Sequence, residues 1–520
     1  MRVLVLAGLL AACRGEPDRS TTTLVLSITD GGRPVGARVL LFDADGEPVR
    51  IGRLDLYDQR QGATACPIAP GVVGSWNGLI VARGGGEVPI GRDACAPSPA
   101  IPYGRYKVWA WRGVEYEKWE GEVDLSAKRG RVALAIPLTR AWTPHGTLAA
   151  DLHVHAQASN DSTLPNPQRV IAQAAAGIQV VGLSDHNASG DLDLEIEQLG
   201  LDDVIASIAG NELTSEQLHV NVYPITVDKT ASRGGSPPAA DLAKLDAAAL
   251  FGVARAMPGD KPIVQLNHPR FRYTALYDGT RWDGVAWPPP FSLDYDAVEV
   301  LAGYSAFNMT GDRRFDESAR DYFTFVDHGR LITPVGNSDT HDLNWVLDGT
   351  ARTYVFVDDP KPKPFDEAAF IAALRARRVV ATTGPWLDVE VAAKQGDATV
   401  GPGQSLRARG KVFVDIELSQ AGFVHADKLD ITIGTPEGPR VVHTSSDKRV
   451  QMEIEVGTTD TWLAVTAGGD TPMPKEITGT YQQDKWKRPG VTPFAIAAPI
   501  LIDADGDGRW KRGEADLPLP

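Results

Sequence analysis

Two rhythms of apolar and polar residues alternate along the chain. Between Thr22 and Ile136, apolar residues recur at every second position in short runs, at 23–28, 37–42, 103–111 and 132–136. Turn residues separate these runs, Gly31-Gly32 and the stretch from Asp43 to Gly46 among them. A period of two belongs to a strand with one buried face, and short strands punctuated by Gly and Asp predict a β-sandwich. Near His145 the rhythm changes. Asn166-Pro167 reads as an N-cap with proline at the first helical position, Gly177 closes that helix, and an apolar strand follows at 178–183. Further helical stretches at 240–256, 314–326 and 365–375 alternate with strands at 262–266, 297–301 and 331–335. Such βα repetition over about 240 residues predicts an α/β barrel or a wound sheet. From about residue 387 the alternation returns, as at 411–418 and 462–465, and predicts a second β domain. The expected division is a sandwich at 22–142, an α/β domain at 145–386 and a C-terminal β domain at 387–520.

Composition refines this picture mainly by exclusion. The chain has 520 residues, 43% of them hydrophobic and 23% charged, which is ordinary for a soluble globular protein. Lys plus Arg number 52 against 67 Asp plus Glu, a formal net charge of −15, so no footprint for long nucleic acids is expected. No stretch after the N-terminus approaches the roughly 20 apolar residues that span a bilayer. The N-terminus itself is informative. It opens Met1-Arg2, runs apolar to Leu9 and reaches Leu10-Ala11-Ala12-Cys13, the pattern of an export signal. That ending resembles a bacterial lipobox, in which the cysteine becomes the lipidated first residue. The resemblance implies a signal peptide at 1–13 with Cys13 lipidated, a polar tether at 14–21, and an exported body held at a membrane by its lipid alone, in the periplasm or on the cell surface. Cys66 and Cys95 form an even pair, which in an exported chain predicts a disulfide closing a loop of about 28 residues. The absence of any Cys-x-x-Cys argues against a thiolate zinc or redox motif. The sandwich sequence looks like the carboxypeptidase-regulatory or transthyretin-like modules of exported proteins, which implies a supporting role.

The candidate chemistry lies in the histidines. There are ten, and most stand at predicted strand ends. Asp151-Leu152-His153-Val154-His155 places two imidazoles on one face of a strand, and Asp339-Thr340-His341 repeats the device after another. Asp185-His186, Asn211-Glu212 and Asn267-His268 end further strands, and His219 begins the strand after Glu212. In parallel α/β folds such ends converge on one site, where several imidazoles and carboxylates are costly to bury unless they bind metal. Ser184-Asp185-His186 does not make a hydrolytic triad, because neighbouring strand residues point to opposite faces. His145, His328, His425 and His443 lack strand-end context and read as structural or solvent-exposed.

The order His-x-His, Asp, Asp-His, Glu, His, His, Asp-x-His resembles the PHP (polymerase and histidinol phosphatase) metallohydrolase superfamily. It is similar above all to the CehA/McbA branch, which contains carbamate-hydrolysing members. The resemblance covers about 151 to 385, including the run Ala381-Thr382-Thr383-Gly384-Pro385. It implies an α/β fold, a distorted (β/α)7 barrel flanked here by the two β domains, with two or three divalent transition metals, Zn, Mn or Fe. Carried over, His153, His155, Glu212 and Asp339 bind one metal, and Glu212 bridges to a second held by His219 and His268. Asp161, His186 and His341 bind a third. The implied activity is hydrolysis of a small-molecule ester, foremost a phosphodiester or phosphomonoester, by a metal-bridging hydroxide, with Asp339 and Glu212 at the catalytic centre. The alternatives are a carbamate or carboxylic-ester hydrolase on the same site, and a non-catalytic glycan-binding lipoprotein.

Three segments keep two readings each. Arg270, two residues after His268, is either an anion clamp serving catalysis or a surface arginine. The stretch 278–291, with Trp282, Trp287 and three consecutive prolines, is an aromatic lid or a packed loop. Asp503, Asp505, Asp507, the Arg509 carbonyl and Glu514 match a calcium loop without its entering helix, or else form an acidic turn.

Overall fold

The computed structural model describes residues 22–51, 66–75, 78–91, 101–126, 130–270, 274–303, 315–479 and 491–519. The lipobox Cys13, the tether, Cys95 and the side chain of Cys66 lie outside the described residues. The chain is a mixed α/β protein, rich in strand and built from several sheets.

The N-terminal alternation folds as two facing sheets. Thr22–Asp30 buries Leu24, Leu26 and Ile28 on one face, and pairs parallel with Gly130–Leu138 and antiparallel with Gly85–Ile90. Ala37–Phe42 lies in the second sheet between Gly78–Val81 and Arg105–Trp111. Leu26, Val39, Val108 and Ile136 meet in one core, so period-two burial on both sheets generates the interior.

The central domain is less regular than simple βα repetition. Thr147–Val154 and Val180–Leu183 are parallel, as are Ile263–Leu266, Ala297–Ala302 and Thr333–Asn337. Between these groups Asn211–Thr214 and His219–Tyr223 form an antiparallel hairpin, and His219–Tyr223 runs antiparallel to Ile263–Leu266 as well. Isolated bridges, Val154 to Thr340 and His186 to Glu212, join the two sheets where Thr340 and His186 follow the ends of their own strands. The helix expected at 240–256 is two, Ala239–Leu242 and Ala247–Arg255, because Asp246 caps the second by accepting the Ala249 N–H at 2.9 Å.

The C-terminal β structure is fused to the central sheet. Phe494–Asp503, buried along its whole length, pairs with Val379–Thr382 on one side and Thr461–Gly468 on the other. One ten-stranded sheet therefore crosses the expected boundary at 386/387. The sandwich docks through buried polar contacts: Arg38 pairs with Asp348 at 2.7 Å, and Glu115 accepts the Tyr354 hydroxyl at 2.9 Å. Among the described residues no helix is long and apolar enough to cross a membrane.

Candidate metal centre

The hairpin explains why residues so distant in sequence meet. Pairing Thr214 with His219 returns the chain, so that the first residue of the second strand stands beside the end of the first. His219 thus lies at the end of the sheet where its neighbours present Glu212 and His268. Ligand loops close the same end: the His155 N–H donates to the Thr340 carbonyl at 3.0 Å, and the Asp339 N–H to the His153 carbonyl at 2.9 Å. Asp339 and His268 both adopt left-handed backbone, φ 52° and 29°, a conformation that costs energy in a residue with a Cβ and gathers at functional sites.

All nine expected ligand residues come together. Their potential ligand atoms fall into four overlapping groups: His155, Asp161, His186 and His341; His153, His155 and Glu212; His153, His268 and Asp339; His186, Glu212 and His219. Within each group these atoms lie within 4.8 Å of one another, and the group could hold a metal ion. The grouping differs from the expected one. His268 joins His153 and Asp339, His186 joins Glu212 and His219, and His155 adds to the set around Asp161. His153, His155 and Glu212 are fully buried, whereas Asp161 and His219 are half-buried at the rim.

The donor chemistry fits cations. Glu212 Oε1 lies 3.1 Å from His153 Nε2 and 3.2 Å from His219 Nδ1, while Oε2 lies 2.6 Å from His186 Nδ1. Asp339 Oδ1 lies 3.1 Å from His153 Nε2 and 3.0 Å from His155 Nε2. Three imidazoles use Nδ1 on an orienting partner and turn Nε2 inward, and a fourth, His186, shares its Nδ1 between Thr214 and Glu212. The partners are Glu299 Oε1 for His153 at 2.8 Å, Ser159 Oγ for His155 at 3.1 Å, Thr214 Oγ1 for His186 at 2.6 Å, and the Asp339 carbonyl for His341 at 3.0 Å. This is how metal-binding imidazoles are held, by a second ring of hydrogen bonds that fixes tautomer and direction. Rings of His155 and His341 stack 3.9 Å apart at 13°.

The electrostatics follow from this crowding. Burial alone raises a carboxyl pKa, but His186, His219 and His153 hold Glu212 well below the usual carboxylate range. Asp339 is held low in the same way by His153 and His341. Burial, with His341 beside it, pushes His155 down to about 3, so its ring is neutral at pH 7. His153 goes the other way: burial opposes its charge, but Asp339, Glu299 and Glu212 raise it well above the ordinary value.

Several partners were not anticipated. Glu299 also accepts the His268 N–H at 2.8 Å and the Asn337 amide at 3.0 Å. Its signal was available, as the one charged residue in the apolar run Ala297–Ala302. Asn267 donates to Glu212 Oε1 at 2.7 Å. Arg169, fully buried, donates to the His155 carbonyl at 2.8 Å and the Thr340 carbonyl at 3.2 Å and pairs with Asp348 at 2.5 Å.

Compared with known proteins, the chain matches no family model, no curated protein and no solved structure.

Three expectations need correction or a choice. The Arg270 guanidinium binds Asp321 at 2.6 and 2.9 Å, Asp278 at 3.3 Å and the Trp282 carbonyl at 2.8 Å, so each of its nitrogens already has a protein acceptor. The segment 278–291 is a packed loop, since Trp282 is buried among Tyr277, Phe291 and Phe325. The calcium loop does not assemble as expected. Asp503 and Asp505 group with Asp460, while Asp507 pairs with Lys511, Arg509 with Asp516, and Glu514 accepts Trp287 Nε1 at 3.3 Å. The cause is the hairpin Arg509–Arg512 and Ala515–Pro518, which carries Glu514 into its turn.

Proposed function

We propose that this chain is a multinuclear metal-dependent hydrolase of the polymerase and histidinol phosphatase superfamily, acting on phosphoesters. The observation that carries the reading is the convergence of nine imidazole and carboxylate side chains on one largely buried cluster. Strand order supports it as well. Thr147–Val154, Val180–Leu183, Asn211–Thr214, His219–Tyr223, Ile263–Leu266, Ala297–Ala302 and Thr333–Asn337 succeed one another through ladders and the two isolated bridges, the sequence a distorted (β/α)7 barrel requires.

His153, His155, Glu212, His268 and Asp339 would hold the inner ions, with His186 and His219 contributing around Glu212. Asp161, His186 and His341 would hold an outer one beside His155. The chemistry such ions supply when bound is activation of water near neutral pH and polarisation of the ester oxygen. The chain's own part is preorganisation. Glu299, Ser159 and Thr214 fix the imidazoles before substrate arrives, burial of Glu212 and His153 excludes bulk water, and the rim at Asp161 and His219 is the side on which an ester enters.

The engagement of Arg270 with Asp321 and Asp278 favours a second reading, a carbamate or carboxylic ester, because it removes the cation that would single out phosphate. Parallel assays with aryl phosphodiesters, phosphomonoesters, carbamates and acetates on metal-loaded protein separate the two. We expect turnover of a phosphoester that Asp339→Asn lowers at least about a hundredfold. Turnover of carbamates or acetates alone selects the second reading, and no hydrolysis sensitive to that substitution contradicts both.

A further inference from the structure

The loop that follows His219–Tyr223 folds back onto the loops that carry two of the rim-side ligands. Its Arg233, at the surface, donates Nε to the Asn187 carbonyl at 2.7 Å and Nη2 to the carbonyls of Ala158, at 3.1 Å, and of His186. One planar side chain therefore bridges the stretch 156–161, which brings Asp161, and the stretch 184–189, which brings His186. The loop is docked where it does so. The Ser189 N–H donates to the Arg233 carbonyl at 2.9 Å, and the fully buried Asn211 amide reaches Ser189 Oγ at 3.0 Å and Ser236 Oγ at 2.8 Å. Arg233 takes left-handed backbone, φ 53°, which is uncommon for a residue with a Cβ. Gly234 follows in the same region, and a Cβ there would lie 2.1 Å from the Ser189 carbonyl oxygen. Backbone this costly persists where its surroundings fix it, and it gathers at functional sites.

The two bridged loops differ in how else they are held. His186 is secured from the hairpin: it bridges Glu212, the Asn187 N–H donates to the Glu212 carbonyl at 2.8 Å, and the Thr214 N–H donates to Asn187 Oδ1 at 2.9 Å. The stretch before Asp161 exposes Gln157, Ala158 and Asn160. Asp161 itself meets the cluster through its carboxylate, with Oδ1 accepting from Ser159 Oγ at 2.8 Å and Oδ2 at 3.0 Å from His186 Nε2 and 3.3 Å from His341 Nε2. The Arg233 contact to Ala158 ties the backbone of this exposed stretch to the anchored one. Guanidinium suits the task, because its donors are fixed in one plane and keep their protons at any ordinary pH.

We propose that Arg233 is a positioning residue for the outer ion, holding the Asp161 loop against the His186 loop so that Asp161, His186 and His341 keep the spacing of a ligand set. The proposal rests on the metal-centre reading above. Charge and position here have opposite signs. A positive group beside a cation site weakens cation binding, so if charge alone mattered, removing Arg233 would tighten the outer ion. If Arg233 acts through position, its removal loosens that ion.

The test is titration of the metal-free full chain with Mn²⁺, and in parallel with Zn²⁺, counting ions and affinities by calorimetry. The outer class is the one that Asp161→Asn abolishes. In Arg233→Met we expect its affinity to fall about tenfold or more, the range seen when groups behind metal ligands are removed. The inner ions and the Tm of metal-free protein should stay as in wild type. If Arg233→Met does not fold, Arg233→Lys, whose single ammonium cannot span the Asn187 and Ala158 carbonyls as the fork does, serves in its place. An outer affinity that is unchanged or rises overturns the proposal, as does an equal fall for inner and outer ions. Wild type that binds inner ions only overturns it and leaves the metal-centre reading standing, whereas wild type that binds no ion refutes both.

Discussion

Glu212 lies within 3.7 Å of five imidazoles, those of His153, His155, His186, His219 and His268. The sequence marked it by its place just after a short strand, Ala206–Ile208, although it stands within the next one, Asn211–Thr214. Its neighbours were legible for the same reason: His-x-His and Asp-x-His are spacings that a strand end can use. Glu299 was harder to see. It touches the site only through His153 and the backbone of His268, and such indirect contacts leave no spacing in the sequence. As a positioning residue it makes a testable demand. Glu299→Gln keeps an acceptor near His153 Nδ1 but removes the charge, so metal affinity measured against a competing chelator should fall about 10- to 100-fold. The melting temperature of metal-free protein should move little. Unchanged affinity would reduce Glu299 to a packing role. Protons give a second handle at this scale. Without metal, the carboxylates around His153 and His186 raise both well above the ordinary imidazole value, so these rings hold protons at pH 7. Metal must displace them. Titration calorimetry at pH 7 in buffers of different ionisation enthalpy should therefore report proton release, and affinity should weaken as pH falls. Binding heats independent of buffer would contradict this.

At the scale of elements, alternation and helical periodicity placed most of the strands and helices they named to within about two residues, because burial of one face dictates both, while many shorter strands of the sheets were not named. Direction was not legible. The hairpin of Asn211–Thr214 and His219–Tyr223 replaces a βα unit, and nothing in two short apolar runs says whether the second returns alongside the first. Likewise, the break between Ala239–Leu242 and Ala247–Arg255 depends on a cap at Asp246 inside an otherwise helical pattern. The strand Phe494–Asp503 carries the clearest consequence. It hydrogen-bonds to the central Val379–Thr382 and to Thr461–Gly468, and every one of its residues is buried. A chain ended at residue 493 would leave two strand edges open and an apolar groove exposed. It should be insoluble, or should unfold without a cooperative transition by circular dichroism. A soluble truncated chain with unchanged melting would show that the fused sheet is dispensable.

Across the whole molecule, three predicted segments of sequence form a structure more continuous than that division suggests. The ten-stranded sheet joins the central and C-terminal parts, and Arg38 of the sandwich reaches Asp348, which also pairs with Arg169. Arg169 in turn holds the carbonyls of His155 and Thr340, so a sandwich residue lies three contacts from the ligand-bearing backbone. Periodicity predicts domains but is blind to such links, which are made by single buried charges. On this reading the imidazole cluster folds to hold metal ions. Elemental analysis of the full chain, purified without chelator, tests it most directly. The account predicts two or three transition-metal ions per chain, falling sharply in Asp339→Asn. A content near zero that reconstitution with Zn²⁺, Mn²⁺ or Fe²⁺ cannot raise would contradict it.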